Sequence, residues 1–434
     1  MRRHKHRSRS RWQGLLVSSA FLALSSASCS DTSETPTQVP CDIREARCRS
    51  AIFALTAEVR GQSGAKIPPT RIITRDQFAT ETRAGVLQNM SSRDDLVLDA
   101  TLRLLHFLET GTSLGDAMAD SSIAAVAAYY DSATKAVTII DDAAEEQSSG
   151  SLTLSHEYTH ALQDQREVLK TLDDTANSTD EARAVDALVE GEATILSDAT
   201  MTRAANLEYK RDDVLAFMSR LLNGVMMNIE QSDAPFNEAE LSLPYPVGGL
   251  PVANAYLASG SAGVQAYFQT RPTSLIGWVQ LGNGISTSLP LPLSCDLPDA
   301  PAGYARTAFD RLGGTGLIAL YTRLGLNASA AFQTARAWTG DSFTVFAPSN
   351  GTEVNAAFVW RIGLTDEAAA MNLERLLLAG SVQVSVLRKV NEVVLSGATD
   401  PAVLAAWTVR NDCSTAKARA EPSRVLPALP HYRR

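Results

Sequence analysis

Two histidines with helical spacing are the first residues in this 434-residue sequence that could do chemistry. His156 and His160 stand four residues apart, so on a helix both rings face the same side and can bind one ion. Neutral imidazoles suit Zn²⁺, which in catalytic sites takes three protein ligands and leaves one position for water. Glu157 lies about 100° further round the helix, within reach of a water at such an ion. The pattern predicts a zinc centre in which Glu157 accepts a proton.

The histidine pair requires a helix, and the surrounding sequence predicts one. Its apolar residues recur at the i, i+4, i+7 and i+8 spacing of an amphipathic helix: Leu154, Tyr158, Ala161 and Leu162. The segment 149–151, Ser-Gly-Ser, supplies a capping start. His156, His160 and Gln163 fall on the opposite side. The alternative is a chance match on a solvated helix face, in a chain that has only six histidines.

A third ligand is expected from a second helix, which the sequence predicts between Asp180 and Thr200. Two glutamates compete for the role, and on a helix they project about 200° apart. Glu190 lies on a face of small and polar residues that can press against the first helix. Glu192 lies on an apolar face, where a buried carboxylate needs a partner. Both remain candidates on helical geometry alone.

The segment 190–193, Glu-Gly-Glu-Ala, resembles the Glu-Gly-x-Ala signature of gluzincin aminopeptidases, in which the first glutamate is a zinc ligand. The resemblance implies that Glu190 completes the ligand set with His156 and His160. One feature departs from the family, because 29 residues stand between His160 and Glu190, more than is usual in gluzincins.

Further pieces resemble a group of bacterial and archaeal zinc metallopeptidases, over roughly residues 70 to 375. They are Tyr-Tyr-Asp at 129–131, His-Glu-Tyr-Thr-His-Ala-Leu-Gln-Asp-Gln at 156–165, Leu-Val-Glu-Gly-Glu-Ala-Thr at 188–194, Pro-Tyr-Pro-Val-Gly at 244–248, Arg-Pro-Thr-Ser at 271–274 and Trp-Thr-Gly-Asp at 338–341. The family usually continues the fifth piece with Thr-Glu-Gln, where this chain has Leu-Ile-Gly. The resemblance implies a zinc-dependent peptidase that acts on peptide or protein substrates.

Three other features surround the expected zinc centre. Tyr245, between two prolines, is either a donor to the carbonyl oxygen of a bound substrate or a packing residue. Gln163 or Asp164, about one turn beyond His160, could orient a ligand. The segments 129–131 and 136–140 are predicted to pair as two strands. Their hairpin is either an edge that binds an extended peptide or a plain structural element.

The rest of the chain predicts an α+β fold that is mostly helical, with a zincin-like pair of active-site helices and a small β-sheet upstream of it. Further helices are expected at 52–60, 96–108, 207–227, 252–257, 305–324, 328–337 and 365–379, with Gly313-Gly314 interrupting the segment 305–324. Strands are expected at 70–74, 343–346, 356–362 and 382–395. The segment 244–249, rich in proline and glycine, is expected to interrupt the helices.

The N-terminus has the pattern of a secretory signal peptide over residues 1–28, with six basic residues before an apolar stretch. The segment 26–29, Ser-Ala-Ser-Cys, resembles a bacterial lipobox, which would place a lipid on Cys29; ordinary cleavage after Ser28 is the alternative. Either way we expect an exported protein whose only membrane contact is that lipid. Residues 29–50 are expected to form a flexible tether, 51–415 a metallopeptidase domain and 416–434 a C-terminal tail.

Charge and cysteine content agree with export. Removing the six positive charges of the signal peptide takes the formal net charge from −9 to −15, which argues against nucleic acid as a partner. Beyond Cys29 the chain has four cysteines, an even number, as is usual in an oxidising compartment. The expected pairs are Cys41 with Cys48 and Cys295 with Cys413.

A second hypothesis keeps the zinc and gives up the enzyme. The chain would then be a non-catalytic, zinc-containing lipoprotein of the cell surface that serves as a binding or structural module. A closed site with four protein ligands favours this hypothesis, whereas a site with three ligands and an open position favours the peptidase.

Overall fold

Helices make up most of the fold. The computed structural model describes residues 38–407, with gaps at 91, 168, 286–287, 294–297, 352–353 and 381–383. The α-helices of this part run in chain order as α1 Ala46–Arg60, α2 Arg75–Asn89, α3 Arg93–Leu104, α4 Leu114–Ala125, α5 Gln147–Glu167, α6 Leu169–Asp174, α7 Thr179–Ala204, α8 Arg211–Gln231, α9 Pro235–Ser242, α10 Pro244–Gln265, α11 Leu275–Gly282, α12 Gly313–Arg323, α13 Ala328–Ala335, α14 Glu367–Ala379 and α15 Pro401–Ala406. Two short 3-10 helices lie at Asp141–Ala144 and Ala266–Phe268.

Two sheets complete the fold. Their strands are β1 Thr70–Ile73, β2 Ala128–Asp131, β3 Ala136–Ile140, β4 Tyr304–Asp310, β5 Trp338–Pro348, β6 Ala357–Leu364, β7 Ser385–Lys389 and β8 Glu392–Ala398. The first sheet has the order β1-β3-β2, with β1 parallel and β2 antiparallel to β3, so β2 is an edge strand. The second is antiparallel, in the order β4-β5-β6-β8-β7. A mostly helical α+β fold with a small sheet upstream of α5 is therefore confirmed.

α5 and α7 pack against each other, and both are largely buried. The predicted apolar stripe of α5 lies in one core cluster with residues of α1, β2 and β3. α7 begins where the Ser178 hydroxyl accepts a hydrogen bond from the Glu181 amide, which satisfies one of the donors that a helix start leaves free. The sequence placed these helix starts at 149–151 and Asp180, close to the observed Gln147 and Thr179.

α10 packs against α7 through glycines, and this corrects the prediction that segment 244–249 interrupts the helices. Pro244 and Pro246 occupy the first turn of α10, where a missing N–H is tolerated because it would have no helical partner. Position 248 is a glycine because the backbones of α10 and α7 come into contact there. A Cβ on Gly248 would lie 1.5 Å from the Ala187 carbonyl oxygen, and one on Gly191 would lie 2.5 Å from the Gly248 carbonyl carbon.

The folded unit begins earlier than the sequence indicated, so the predicted tether of residues 29–50 is wrong for its C-terminal part. Ile43 and Cys48 are buried, and α1 starts at Ala46. A disulfide joins Cys41 to Cys48 with the Cα atoms 5.8 Å apart, which confirms that pair. The expected signal peptide, Cys29, the second cysteine pair and the tail 416–434 involve residues outside the described part. No helix among the described residues is long and apolar enough to span a bilayer.

Two predicted segments of the C-terminal half differ from the structure. The segment 305–324, expected to be a helix interrupted at Gly313-Gly314, is strand β4 followed by α12. α12 starts at Gly313, whose φ of 65° suits glycine, and the amides of Leu312 and Gly313 donate to Asp341 on β5. The segment 382–395, expected to be one strand, contains β7 and the start of β8, which pair as a hairpin.

Candidate metal site

Three side chains from the two central helices bring their donor atoms together. His156 Nε2 lies 3.0 Å from Glu190 Oε2 and 3.1 Å from His160 Nε2, and the distance from His160 Nε2 to Glu190 Oε2 is 3.3 Å. α5 supplies both histidines from one face, as their spacing predicted, and α7 supplies the carboxylate. This group could hold a metal ion.

The three distances fit the dimensions of a tetrahedral zinc site. Ligand atoms about 2.0–2.1 Å from a zinc ion are separated from one another by about 3.3 Å when the coordination is tetrahedral. The observed triangle has edges of 3.0, 3.1 and 3.3 Å, close to that size. Two imidazole nitrogens and one carboxylate oxygen are also the donor set of a known class of catalytic zinc centres. The residues therefore fit the ion that the sequence predicted.

The group has three members, and one side of it is more open than the others. Among the described residues, no fourth His, Cys, Asp or Glu joins it. The side chain of His156 is 15% exposed, compared with 9% for His160 and 1% for Glu190. Solvent therefore reaches the group mainly from the His156 side.

Glu192, the alternative third ligand, lies elsewhere. Its carboxylate is buried and accepts hydrogen bonds from Arg60, with Nε 3.2 Å from Oε1 and Nη2 3.2 Å from Oε2. Arg60 at the end of α1 also pairs with Glu167, at 3.0 Å. A carboxylate on the apolar face was expected to need a partner, and the Arg60 guanidinium is that partner for Glu192.

Glu157 is held by the edge strand of the first sheet. Its Oε2 accepts a hydrogen bond of 2.8 Å from the backbone N–H of Tyr130 on β2. The Tyr130 hydroxyl in turn donates to Asp164 on the same helix, at 2.7 Å. Burial, together with this bond to Asp164, raises the pKa of the Tyr130 phenol, so the hydroxyl stays protonated and acts as a donor. One residue thus binds α5 at two points, two turns apart.

Gln163 and Asp164, the two candidates for orienting a ligand, make different contacts in the structure. Gln163 Oε1 lies 2.9 Å from His160 Nδ1, the ring nitrogen that faces away from Glu190. Asp164 instead accepts from the Tyr130 hydroxyl and from Lys135 Nζ, the latter at 2.6 Å. Gln163 therefore contacts the histidine, and Asp164 fastens the β2–β3 hairpin to α5.

Tyr245 stands beside the metal group. Its ring is stacked on the ring of His156, with the centroids 5.8 Å apart and the planes 21° apart. The first turn of α10, kept close to α7 by Gly248, carries Tyr245 there. The residue is half-buried and adjoins the most exposed of the three donors. It is thus placed at the open side of the group.

The strand that holds Glu157 offers few free backbone groups. Ile140 N donates to Ala127 O across the hairpin. In an antiparallel pair, alternate residues bond to the neighbouring strand. Ala128 and Tyr130 therefore direct their backbone groups away from β3. The Tyr130 N–H is already bonded to Glu157. An extended peptide at this edge could pair only with the other outward groups, and whether it does so stays a prediction.

Three residues of the site could not be found from the sequence: Arg60, Tyr130 as a partner of Glu157, and Lys135. Arg60 is 132 residues from Glu192, and no local pattern links the two. The only signal was indirect, in that Glu192 needed a partner of opposite charge.

No protein-family model, curated protein or solved structure matches the chain. Its class is therefore defined by its own fold and site. It is a mostly helical α+β protein in which two histidines and a glutamate, from two packed helices, form a group that could hold a metal ion.

Proposed function

We propose that this protein is an exported, zinc-dependent peptidase of the gluzincin type. The observation that carries the proposal is the group of His156, His160 and Glu190, which has three members, the size of a zinc site and Glu157 next to it in sequence. Its export, and a lipid anchor on Cys29, rest on the N-terminal sequence pattern. The substrates would be peptides or proteins.

The ion would be Zn²⁺, held by the two Nε2 atoms and by Glu190. When bound, zinc supplies a Lewis acid that polarises a peptide carbonyl and lowers the pKa of a water to about 7. A mixed nitrogen and oxygen donor set favours zinc over Ca²⁺ or Mg²⁺, which prefer oxygen ligands. The burial of Glu190 protects this carboxylate from competing water.

Glu157 would move the proton. In the proposed reaction its carboxylate accepts a proton from the attacking water and then delivers it to the nitrogen of the leaving amine. The Tyr130 N–H binds Oε2 and fixes the orientation of the Glu157 carboxylate. Positioned acid–base help of this kind contributes about 10²–10⁴ to the rate.

Tyr245 would act on the substrate carbonyl. Its hydroxyl donates a hydrogen bond to the carbonyl oxygen as negative charge develops there. The stacking on His156 supports this role, because it restricts the tyrosine ring to the neighbourhood of the metal group.

The competing function, a zinc-containing binding or structural module, is less well supported. Structural zinc sites use four protein ligands, whereas three ligands leave a position for water or substrate. The described residues supply three.

The test compares wild type with Glu157→Gln, both loaded with zinc and incubated with an unbiased peptide library. Glu208→Gln is the matched control, because it makes the same change at a side chain that is 81% exposed. We expect about one zinc per chain in all three proteins. Cleavage by Glu157→Gln should fall by about 10²–10⁴, because an amide cannot accept the proton of the water. Glu208→Gln should cleave like wild type.

Two outcomes would overturn the proposal. If wild type and Glu157→Gln bind zinc and are equally inactive across the library, the site is a binding or structural element. If wild type purified without chelators carries no zinc and takes none up, the metal site itself is wrong.

A further inference from the structure

A chain of buried side chains leads from the candidate metal site to α1. His160 Nδ1 contacts Gln163 Oε1 at 2.9 Å, and Gln163 Nε2 contacts Glu192 Oε2 at 2.9 Å. Glu192 is bonded through both oxygens to Arg60, which is 1% exposed. Gln163, Glu192 and Arg60 are called the His160 relay below. It crosses three helices, α5, α7 and α1.

The hydrogen bonds of the relay can be assigned a single direction. Gln163 Nε2 contacts two groups that can only accept, the Glu192 carboxylate and the Val189 carbonyl oxygen, the latter at 3.0 Å. Both hydrogens of the amide nitrogen are therefore used there. The remaining amide atom, Oε1, can only accept, and it faces His160. The hydrogen between them must consequently lie on His160 Nδ1.

This direction decides the tautomer of His160. A neutral imidazole carries one hydrogen, and with that hydrogen on Nδ1 the lone pair is on Nε2. Nε2 is the atom that faces His156 and Glu190. A metal needs that lone pair, whereas the other tautomer would direct an N–H at the ion. The amide of Gln163 thus selects the form of His160 that can ligate.

Arg60 is the member of the relay farthest from His160, and its buried guanidinium is held on several sides. Burial alone would lower the pKa of the Arg60 guanidinium, but the charges of Glu192 and Glu167 outweigh burial and hold this pKa above its ordinary value. Arg60 also donates to the Leu162 carbonyl oxygen at 3.1 Å, one residue before Gln163. The guanidinium donates to both oxygens of Glu192 and fixes this carboxylate in place as an acceptor for Gln163.

We propose that Arg60, Glu192 and Gln163 are positioning residues that hold His160 in the Nδ1–H tautomer and so present Nε2 to the metal. The proposal rests on the metal site of the proposed function and not on peptide hydrolysis. Hydrogen bonds from metal-bound histidines to such partners affect metal affinity by about 10–100-fold.

The experiment replaces Gln163 by methionine in the full chain, which removes the acceptor while keeping the length of the side chain. Gln165→Met is the matched control, because Gln165 lies on the same helix but is exposed and bonds only the backbone of Lys66. Zinc affinity is measured by competition with a chelator. The tautomer of His160 is measured by nitrogen NMR of zinc-free protein with labelled histidines, at a pH well above the ordinary histidine pKa of about 6.5.

Wild type should show His160 as the Nδ1–H tautomer and bind zinc more tightly than Gln163→Met by about 10–100-fold. Gln163→Met should show both tautomers, and Gln165→Met should match wild type in both measurements. Six histidines in the chain keep the spectrum simple, and His160→Ala identifies its signal.

The proposal is overturned if wild-type His160 carries its hydrogen on Nε2. It is also overturned if Gln163→Met and wild type bind zinc equally. A wild type that binds no zinc defeats the proposed function instead, and the tautomer measurement distinguishes that case.

Discussion

Replacing Gly248 by alanine tests the close approach of α10 and α7. The new Cβ would lie 1.5 Å from the Ala187 carbonyl oxygen. Non-bonded carbon atoms pack at about 3.5–4.0 Å, so the helices would have to separate by roughly 2 Å. Overpacking of this kind costs about 1–3 kcal/mol or more, and the collision is between two backbones that cannot rotate away.

Gly249 provides the control, because it is the next residue of the same helix. A Cβ there would meet Met218 Cε at 2.5 Å, and a methionine end can move aside. Both substitutions gain about 1 kcal/mol in helix propensity, so the difference between them isolates the collision. We expect Gly249→Ala to be at least as stable as wild type, and Gly248→Ala to be less stable than Gly249→Ala by about 1–3 kcal/mol.

Thermal unfolding of the zinc-loaded proteins measures the effect, with a fall of several degrees expected for Gly248→Ala. Peptide hydrolysis should fall with it, because α10 carries Tyr245, whose ring lies 5.8 Å from that of His156. Equal melting temperatures for Gly248→Ala and Gly249→Ala would refute the reasoning. The two helices would then not approach as closely as described, and Tyr245 would lose its place beside the site.

Three further predictions concern single side chains. Glu190→Gln should lose most zinc affinity. Glu192→Gln keeps an amide oxygen as an acceptor for Gln163 and should mainly lower thermal stability, since it removes one of the two buried carboxylates paired with Arg60; the reverse result in zinc titration and thermal unfolding would exchange the two roles. Tyr245→Phe should keep zinc and KM but lower kcat by about 10²–10³, and unchanged steady-state kinetics would make Tyr245 a packing residue. Cys29→Ser should move the protein from the membrane to the soluble fraction, unless wild type is already soluble because the signal peptide is simply cleaved.

The histidine pair could be predicted because it depends on helical geometry within one element, whereas geometry alone left Glu190 and Glu192 both open and the resemblance of segment 190–193 to Glu-Gly-x-Ala selected Glu190. Residues four apart share a face, and residues two apart point in nearly opposite directions. In the structure Glu190 faces the two histidines and Glu192 faces Arg60.

What could not be predicted depends on contacts between distant segments. Proline and glycine in segment 244–249 predicted an interruption because, in isolation, both residues disfavour helix. The structure places the prolines in the first turn and Gly248 against Ala187, and only the packing of α7 makes that choice favourable. The division of 305–324 into β4 and α12 likewise depends on Asp341, 28 residues beyond Gly313.

Two sides of α5 carry different site residues, and each side contacts a different part of the fold. On the side of His160 and Gln163, the contacts run to α7 and α1 through Glu192 and Arg60. On the side of Glu157 and Asp164, both carboxylates bind Tyr130, one through its backbone and the other through its hydroxyl.

In the proposed mechanism the first side holds the metal and the second moves the proton. Because separate elements fix them, a change in the β2–β3 hairpin can alter proton transfer while leaving zinc bound, and a change in the His160 relay can weaken zinc while leaving Glu157 in place. This separation is what permits a single helix to position both a Lewis acid and a base without either task constraining the other.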